Sequence, residues 1–154
     1  MSGAKDLAGN TVVEKTWSFT TASSGGSMGI TRETVSTAVT TTAAASITIT
    51  KPTGTVAGDV LVACLALNGS QVAAGGVPAG WSPIASNVAI ANPHVFGYYR
   101  VAGSAEPADY RWTLSTSVTS GAGIARYSGV SASTPLDGAA SSASGAAAST
   151  ATVP

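Results

Sequence analysis

The sequence predicts an all-β protein, built as an antiparallel β-sandwich with a jelly-roll-like arrangement of strands. Only 9% of the 154 residues are charged, against about 25% in ordinary domains. Few Lys and Glu residues are therefore available to cover helix surfaces, and abundant Thr and Val favour a pleated surface. Short alternations of apolar and polar residues recur between Gly, Pro, Ser and Asn, without a sustained helical period. About eight short strands at regular spacing are typical of such layered folds.

Candidate strands follow one another along the whole chain. The first, Thr11 to Thr21, places Lys15, Trp17 and Phe19 on one face. The apolar run Val60 to Leu67 has no polar face, which predicts a central strand covered on both faces. The other predicted strands are 31–40, 46–51, 81–85, 95–101, 110–114 and 123–127, and a weaker edge strand follows in the Ala/Ser tail after residue 137.

Composition divides the chain into three parts. Residues 1–22 carry the first strand, residues 23–29 form a Gly/Ser linker, and residues 30–154 contain the remaining strands. The last part has the length of a single domain. No signal peptide is visible and the sequence opens in mid-pattern at Met1, so we expect the chain to be a fragment of a longer exported protein.

The first part resembles the end of a bacterial Ig-like domain. The resemblance rests on SGAKDLAGN at residues 2–10 and WSFTT at residues 17–21. It implies that residues 1–22 are the last hairpin of an Ig-like repeat. Such repeats space out adhesins, S-layer proteins and secreted hydrolases.

Residues 30–154 resemble a recurrent β-sandwich module of large bacterial surface proteins and some phage structural proteins. The segments that match are KP (51–52), AGDVL (57–61), PAGW (78–81), YRVAG (99–103), EP (106–107), YSGV (127–130) and PLD (135–137). Members of that family continue further, which implies that this module is truncated at its C-terminus. The resemblance implies an extracellular or cell-surface location and brings no catalytic residues.

Charge and cysteine content narrow the function classes. Seven basic and seven acidic residues give a formal net charge of zero, and the basic residues are scattered rather than gathered into a stripe that would bind phosphates. No apolar run reaches the roughly 20 residues that cross a bilayer. The sequence thus predicts no nucleic-acid partner and no membrane insertion. The single cysteine, Cys64, lies in an apolar run and is expected to be a small buried residue.

Aromatic side chains supply the candidate ligand site. Sugars stack on exposed aromatic rings, and Trp81 in a Gly/Pro loop, with His94 and Tyr99, forms the best such set in the sequence. No Gly-x-Ser-x-Gly elbow is present. A triad that combines His94 with Asp59 or Asp109 stays open as an alternative.

Carboxylates and lysines give three further alternatives. Glu106 and Asp109 flank a proline and would have to face each other to hydrolyse a glycoside. No His/Cys cluster and no Asp-rich calcium loop occur, so no cofactor is predicted, although turn carboxylates and carbonyls could hold a structural calcium ion. An isopeptide bond between Lys51 and Asp59 or Asn68 is the third.

The sequence predicts a non-catalytic structural or adhesive module of a large exported bacterial surface protein, with a glycan or another surface protein as partner. The alternative is a carbohydrate-binding module of a secreted glycoside hydrolase. A truncated sandwich leaves an open strand edge, and strand Thr11 to Thr21 would cover it within the chain or by exchange. We therefore expect either a closed monomer or a strand-swapped homodimer.

Overall fold

The computed structural model describes residues 29–84 and 92–138, which form one five-stranded antiparallel sheet. The strands are β1 (Thr31–Thr50), β2 (Val60–Leu67), β3 (Ser82–Pro83), β4 (His94–Val101) and β5 (Asp109–Ser128), in the order β1-β5-β2-β4-β3. The described residues contain no helix, so the prediction of an antiparallel all-β fold is confirmed. The predicted Ig-like part, the linker up to residue 28 and the tail after residue 138 lie outside the described residues.

Two strands are far longer than predicted. Segment 31–40 and residues 46–50 of segment 46–51 belong to a single strand, β1, and segments 110–114 and 123–127 belong to β5; each strand has 20 residues. The pairing of β1 with β5 shifts register between Thr40 and Ala44 and again between Ala44 and Ser46. A bulge bends a strand pair without ending it. The prediction of short separate strands was therefore wrong in these two places.

Strand β2 occupies the centre of the sheet, as predicted. It pairs over its whole length with β4 on one side and with β5 on the other. Its two faces differ, however. Ala63 and Leu65 are buried whereas Cys64 is exposed. Side chains alternate between the two faces of a strand, so the expectation that Cys64 is buried was wrong. We call the face that carries Ala63 and Leu65 the inner face, and the opposite one the outer face.

The core lies on the inner face, where β5 folds back. Ala63 pairs with Ile124 in β5 and with Tyr98 in β4. Trp112 precedes Ile124 by twelve residues, which would separate them by roughly 40 Å in a straight strand. Yet the ring centroids of Trp112 and Tyr98 are 6.2 Å apart. The first half of β5 and its β1 partner therefore lie over the inner face of the same continuous sheet.

Candidate interaction surface

The first predicted site residue, Trp81, lies in the core. Its side chain is 7% exposed, and its ring centroid is 5.1 Å from that of Tyr110 and 5.2 Å from that of Trp112. The loop reaches this position through Gly80, whose φ of +80° favours glycine. A Cβ at Gly80 would also collide with the Arg100 guanidinium. Trp81 consequently presents no open ring face on which a sugar could stack.

The other two predicted site residues point away from each other. His94 and Tyr99 both lie in β4, but an odd separation along a strand places them on opposite faces of the sheet. His94 Nδ1 is 2.8 Å from the carbonyl oxygen of Ser70. Tyr99 is paired with Val62 and Ser82 and lies on the outer face. The three residues Trp81, His94 and Tyr99 therefore share no common surface.

We expect His94→Ala to lower the free energy of unfolding by about 1 kcal/mol. The substitution removes the hydrogen bond to Ser70, and a single neutral hydrogen bond contributes about that much. Urea denaturation followed by fluorescence measures the change. His94→Asn is the control, because its amide nitrogen can occupy the place of Nδ1. A loss above about 3 kcal/mol would show that His94 does more than hold the Ser70 loop.

A buried carboxylate joins two loops to the aromatic core. Glu106, 3% exposed in its side chain, accepts hydrogen bonds from Arg100 Nη2 at 2.8 Å, from Gly103 N at 2.6 Å and from Tyr110 Oη at 2.6 Å. Arg100 also donates to the carbonyl oxygen of Ala79, beside Trp81. We call these residues the Glu106 network, which ties the Trp81 loop to the turn before β5.

Charge inside this network shifts two pKa values. Burial alone would raise the pKa of Glu106. Hydrogen bonds from Tyr110, Gly103 and Arg100, together with the positive charge of Arg100, have the larger opposite effect and hold the pKa below its ordinary value. Burial and the neighbouring carboxylate raise the pKa of Tyr110. Glu106 is thus an ionised structural anchor. Asp109, its predicted partner in a catalytic pair, is exposed at the start of β5.

A second ionic network fastens the loop before β2. Arg126 Nη1 lies 2.9 Å from Asp59 Oδ2 and donates to the carbonyl oxygen of Gly54 at 2.8 Å, while Nη2 lies 3.6 Å from Glu33. Asp59 also accepts a hydrogen bond from Val56 N at 2.9 Å. Asp59, considered above for a triad or an isopeptide bond, is therefore engaged with Arg126.

Lys51, the lysine of the isopeptide alternative, has a different neighbour. Its Nζ lies 3.5 Å from the carbonyl oxygen of Glu106. Asn68 donates from its side chain to Thr119 and accepts from Asn92. Within residues 29–84 and 92–138, no three His, Cys, Asp or Glu side chains are grouped closely enough to hold a metal ion. The same ranges include no helix of the length and apolarity that crossing a membrane requires.

The outer face of the sheet contains a grid of three rows without charged residues, and the row beyond it carries the exposed Arg32, paired with Tyr127. Residues paired directly across neighbouring strands share a face. In the strand order β1, β5, β2, β4, the first row is Val39, Gly121, Ala66 and Val95, the middle row is Thr37, Gly123, Cys64 and Gly97, and the third row is Val35, Ala125, Val62 and Tyr99. Three of the valines protrude: Val39 is 72% exposed, Val95 55% and Val35 47%. They stand at three corners of the grid, and the half-buried Val62, Ala66 and Ala125 lie between them. Exposed apolar patches are typical of protein-contact surfaces.

The middle row is a trough. Cys64 stands between Gly123 and Gly97, so small residues run through the centre of the face. The Ile84 side chain lies over Gly97 at one end. The free Cys64 thiol is exposed, and partial desolvation by its neighbours raises its pKa.

An open groove adjoins the outer face where β1 and β5 begin to bend. Its volume is about 250 Å³, and it is lined by Val39, Thr40, Ala66, Asn68, Pro93, Thr119, Ser120 and Gly121. Three of these residues belong to the first row of the grid, so the groove is continuous with the outer face. Its polar groups already bond to each other, as in the 2.9 Å contact between the Thr40 and Ser120 hydroxyls.

No protein-family model matches the chain, and neither the curated proteins nor the solved structures contain a significant match to it. The outer face was not among the sequence predictions. Its signal in the sequence is faint, because valines on three strands become neighbours only once the register is known. Gly121 and Gly123 inside a strand were the available hint, since glycine there often marks a close approach of another surface.

Proposed function

We propose that this chain is a non-catalytic structural or adhesive module of an exported bacterial surface protein, of the β-sandwich type, which attaches to another protein. The observation that carries the proposal is the outer face, with exposed Val35, Val39 and Val95 around a row of small residues. A protein partner would bury these valines, and burial of apolar surface is the main favourable term in protein association.

The placement of charge supports this assignment. The carboxylates of Glu106 and Asp59 are buried in ion pairs with Arg100 and Arg126, where they hold loops in place. Charged side chains are depleted at the centres of protein interfaces, and the grid of the outer face has none. These two ion pairs thus stabilise loops, while the grid of the outer face is free of charge.

The shape of the surface favours a protein over a sugar. Small-molecule sites are concave and enclose most of their ligand, whereas the outer face is a broad sheet surface. Of the three aromatic candidates, only Tyr99 lies on this face, and it is half-buried. The carbohydrate-binding alternative therefore has no exposed aromatic platform among Trp81, His94 and Tyr99.

Binding arrays test the proposal. We expect the chain to bind protein spots on an array of purified bacterial surface proteins that includes the chain itself. Val39→Glu should weaken that binding at least tenfold, because a carboxylate buried without a partner costs more than about 1.4 kcal/mol. Thr48→Glu is the matched control, since Thr48 is exposed outside the grid and pairs with Arg111.

Two outcomes would contradict the proposal. One is the absence of binding to any protein on the array at micromolar concentration. The other is specific binding on a glycan array that survives Val39→Glu and is lost in Tyr99→Ala, which would favour the carbohydrate-binding module instead.

A further inference from the structure

We infer that tension on this chain opens the sheet from its two ends, and that the first half of β1 is released before the core is disturbed. The register of β1 against β5 carries the inference: Thr31, the first residue of β1, pairs with Ser128, the last residue of β5. The inference does not depend on the proposed function, because it concerns how the sheet opens and not what binds its outer face.

The sheet is connected to the rest of the chain at two neighbouring points. Residues 1–30 precede β1 and residues 129–154 follow β5, and paired residues of antiparallel strands lie only about 5 Å apart. A load carried by these two segments therefore pulls Thr31 and Ser128 directly apart. Backbone hydrogen bonds in an antiparallel ladder are perpendicular to the strands, so the load falls on one pair at a time rather than on the whole ladder at once.

The first half of β1 is held weakly. In the part of the chain that the structure describes, β1 lies at the end of the strand order and pairs only with β5. From Thr31 to Ala45 every side chain is exposed or half-buried, so little apolar surface resists its removal. Ile47 and Ile49, 1% and 0% exposed, are the first residues of β1 that are fully buried in the core. The register shifts between Thr40 and Ser46 separate the two halves of the strand.

Glu33 closes the end of the ladder where the load enters. Its Oε1 accepts a hydrogen bond from Ser128 Oγ at 2.6 Å, and its Oε2 lies 3.6 Å from Arg126 Nη2. Both partners belong to β5, so Glu33 joins the two strands beside their first pair. Thr40 closes the far end of the same half, since its Oγ1 accepts a hydrogen bond from Ser120 N at 2.8 Å. The load consequently meets Glu33 first and reaches the buried half of β1 only after Thr40 is released.

Opening should therefore take place in two steps. Release of residues 31–45 lengthens the chain by roughly 50 Å, at about 3.4 Å for each residue, and unfolding of residues 46–128 adds roughly 280 Å. Forced unfolding is governed by the rate at which the structure opens, and the first step removes no fully buried side chain. We expect the first step at a clearly lower load than the second.

Optical tweezers test the order of opening on the full chain, with Cys64→Ala as the common background. With one handle at each end of the chain, a gain of roughly 50 Å should appear at less than half the load of the second step. In a second arrangement, the handles are attached at the N-terminus and at Ser117→Cys. Ser117 is exposed between the two halves of β5, so the load then runs along the ladder. The first opening should now require more than twice the load, because all pairs of that half share it.

Two substitutions assign the steps to residues. Glu33→Ala removes the contacts with Ser128 and Arg126, so at constant load the first step should be about fivefold faster while the second is unchanged. Ile47→Val leaves a small gap in the core and should speed only the second step. Asp109→Ala is the matched control for Glu33→Ala, because Asp109 is an exposed carboxylate at the other end of β5, and it should leave the first step unchanged.

Three results would overturn the inference. One is unfolding in a single step, without the separate gain of roughly 50 Å. Another is a first step that needs as much load from the two chain ends as it does from the N-terminus and Ser117→Cys. The last is a first step that Glu33→Ala leaves unchanged or that Ile47→Val accelerates. None of these measurements involves a binding partner, so their failure would leave the proposed function to be decided by the binding arrays.

Discussion

Trp112→Ala is expected to lower the free energy of unfolding by about 3–5 kcal/mol, the range measured for truncation of large buried aromatic side chains. Trp112 is fully buried, and its ring centroid lies 5.2 Å from that of Trp81, 6.2 Å from Tyr98 and 6.5 Å from Tyr110. It thus joins the folded-back half of β5 both to β4 and to the Trp81 loop. Since domains are stable by only about 5–15 kcal/mol, this single change should remove a large fraction of the stability.

Urea denaturation measures this loss, followed by circular dichroism and by the fluorescence of the remaining tryptophans. Trp112→Phe keeps an aromatic ring in the core and should cost less. Arg111→Ala, at the exposed neighbouring position in β5, should change the stability by no more than about 0.5 kcal/mol. A loss below about 1.5 kcal/mol in Trp112→Ala would mean that the two halves of β5 are not held together through this ring.

The apolar run of β2 and the aromatic-rich run of β4 were sufficient signals for these two strands. The burial of alternate residues in β4, Phe96 and Tyr98 but not Val95, is seen only in the structure. The full length of β1 and β5 was not predictable in this way. Their middle segments contain Thr, Ala, Ser and Gly without alternation, and a bulge shifts the pattern from one face to the other without interrupting the strand.

Residues that pack across the bend could not be placed from local sequence. Trp81 follows Pro78 and Gly80 and has the local pattern of a surface loop, yet it contacts Tyr110 and Trp112 about thirty positions later. Cys64 shows the opposite case. Its neighbours in the sequence are all apolar, which predicts burial, but Cys64 lies on the outer face. Only the inner face is covered by the folded-back half of β5. Burial of the two faces depends on that long-range fold, which hydropathy does not contain.

The Glu106 network is expected to make the protein less stable in acid. The folded-state pKa of Glu106 lies below its ordinary value of 4.5. As the pH falls, the Glu106 carboxylate is therefore protonated at a higher pH in the unfolded chain than in the folded protein. Stabilisation by the ionised carboxylate is therefore complete above pH 4.5 and is lost as the pH falls through the lower folded pKa. Glu106→Gln keeps the shape but removes the charge and leaves the largely buried Arg100 without its ion-pair partner.

We expect Glu106→Gln to cost about 3 kcal/mol at pH 7, as removal of one partner of a buried ion pair does. Urea midpoints at pH 7, 5, 4 and 3 measure both effects. The wild type should hold its midpoint from pH 7 to 5 and lose more than the variant below pH 4.5, because only the wild type has the ionised Glu106 to lose. Asp109→Asn, which changes an exposed carboxylate in the same region, should leave the wild-type pH profile nearly unchanged. Parallel urea-midpoint profiles for Glu106→Gln and the wild type from pH 7 to pH 3 would contradict this prediction, because they would show that ionisation of Glu106 beside Arg100 and Tyr110 does not stabilise the fold.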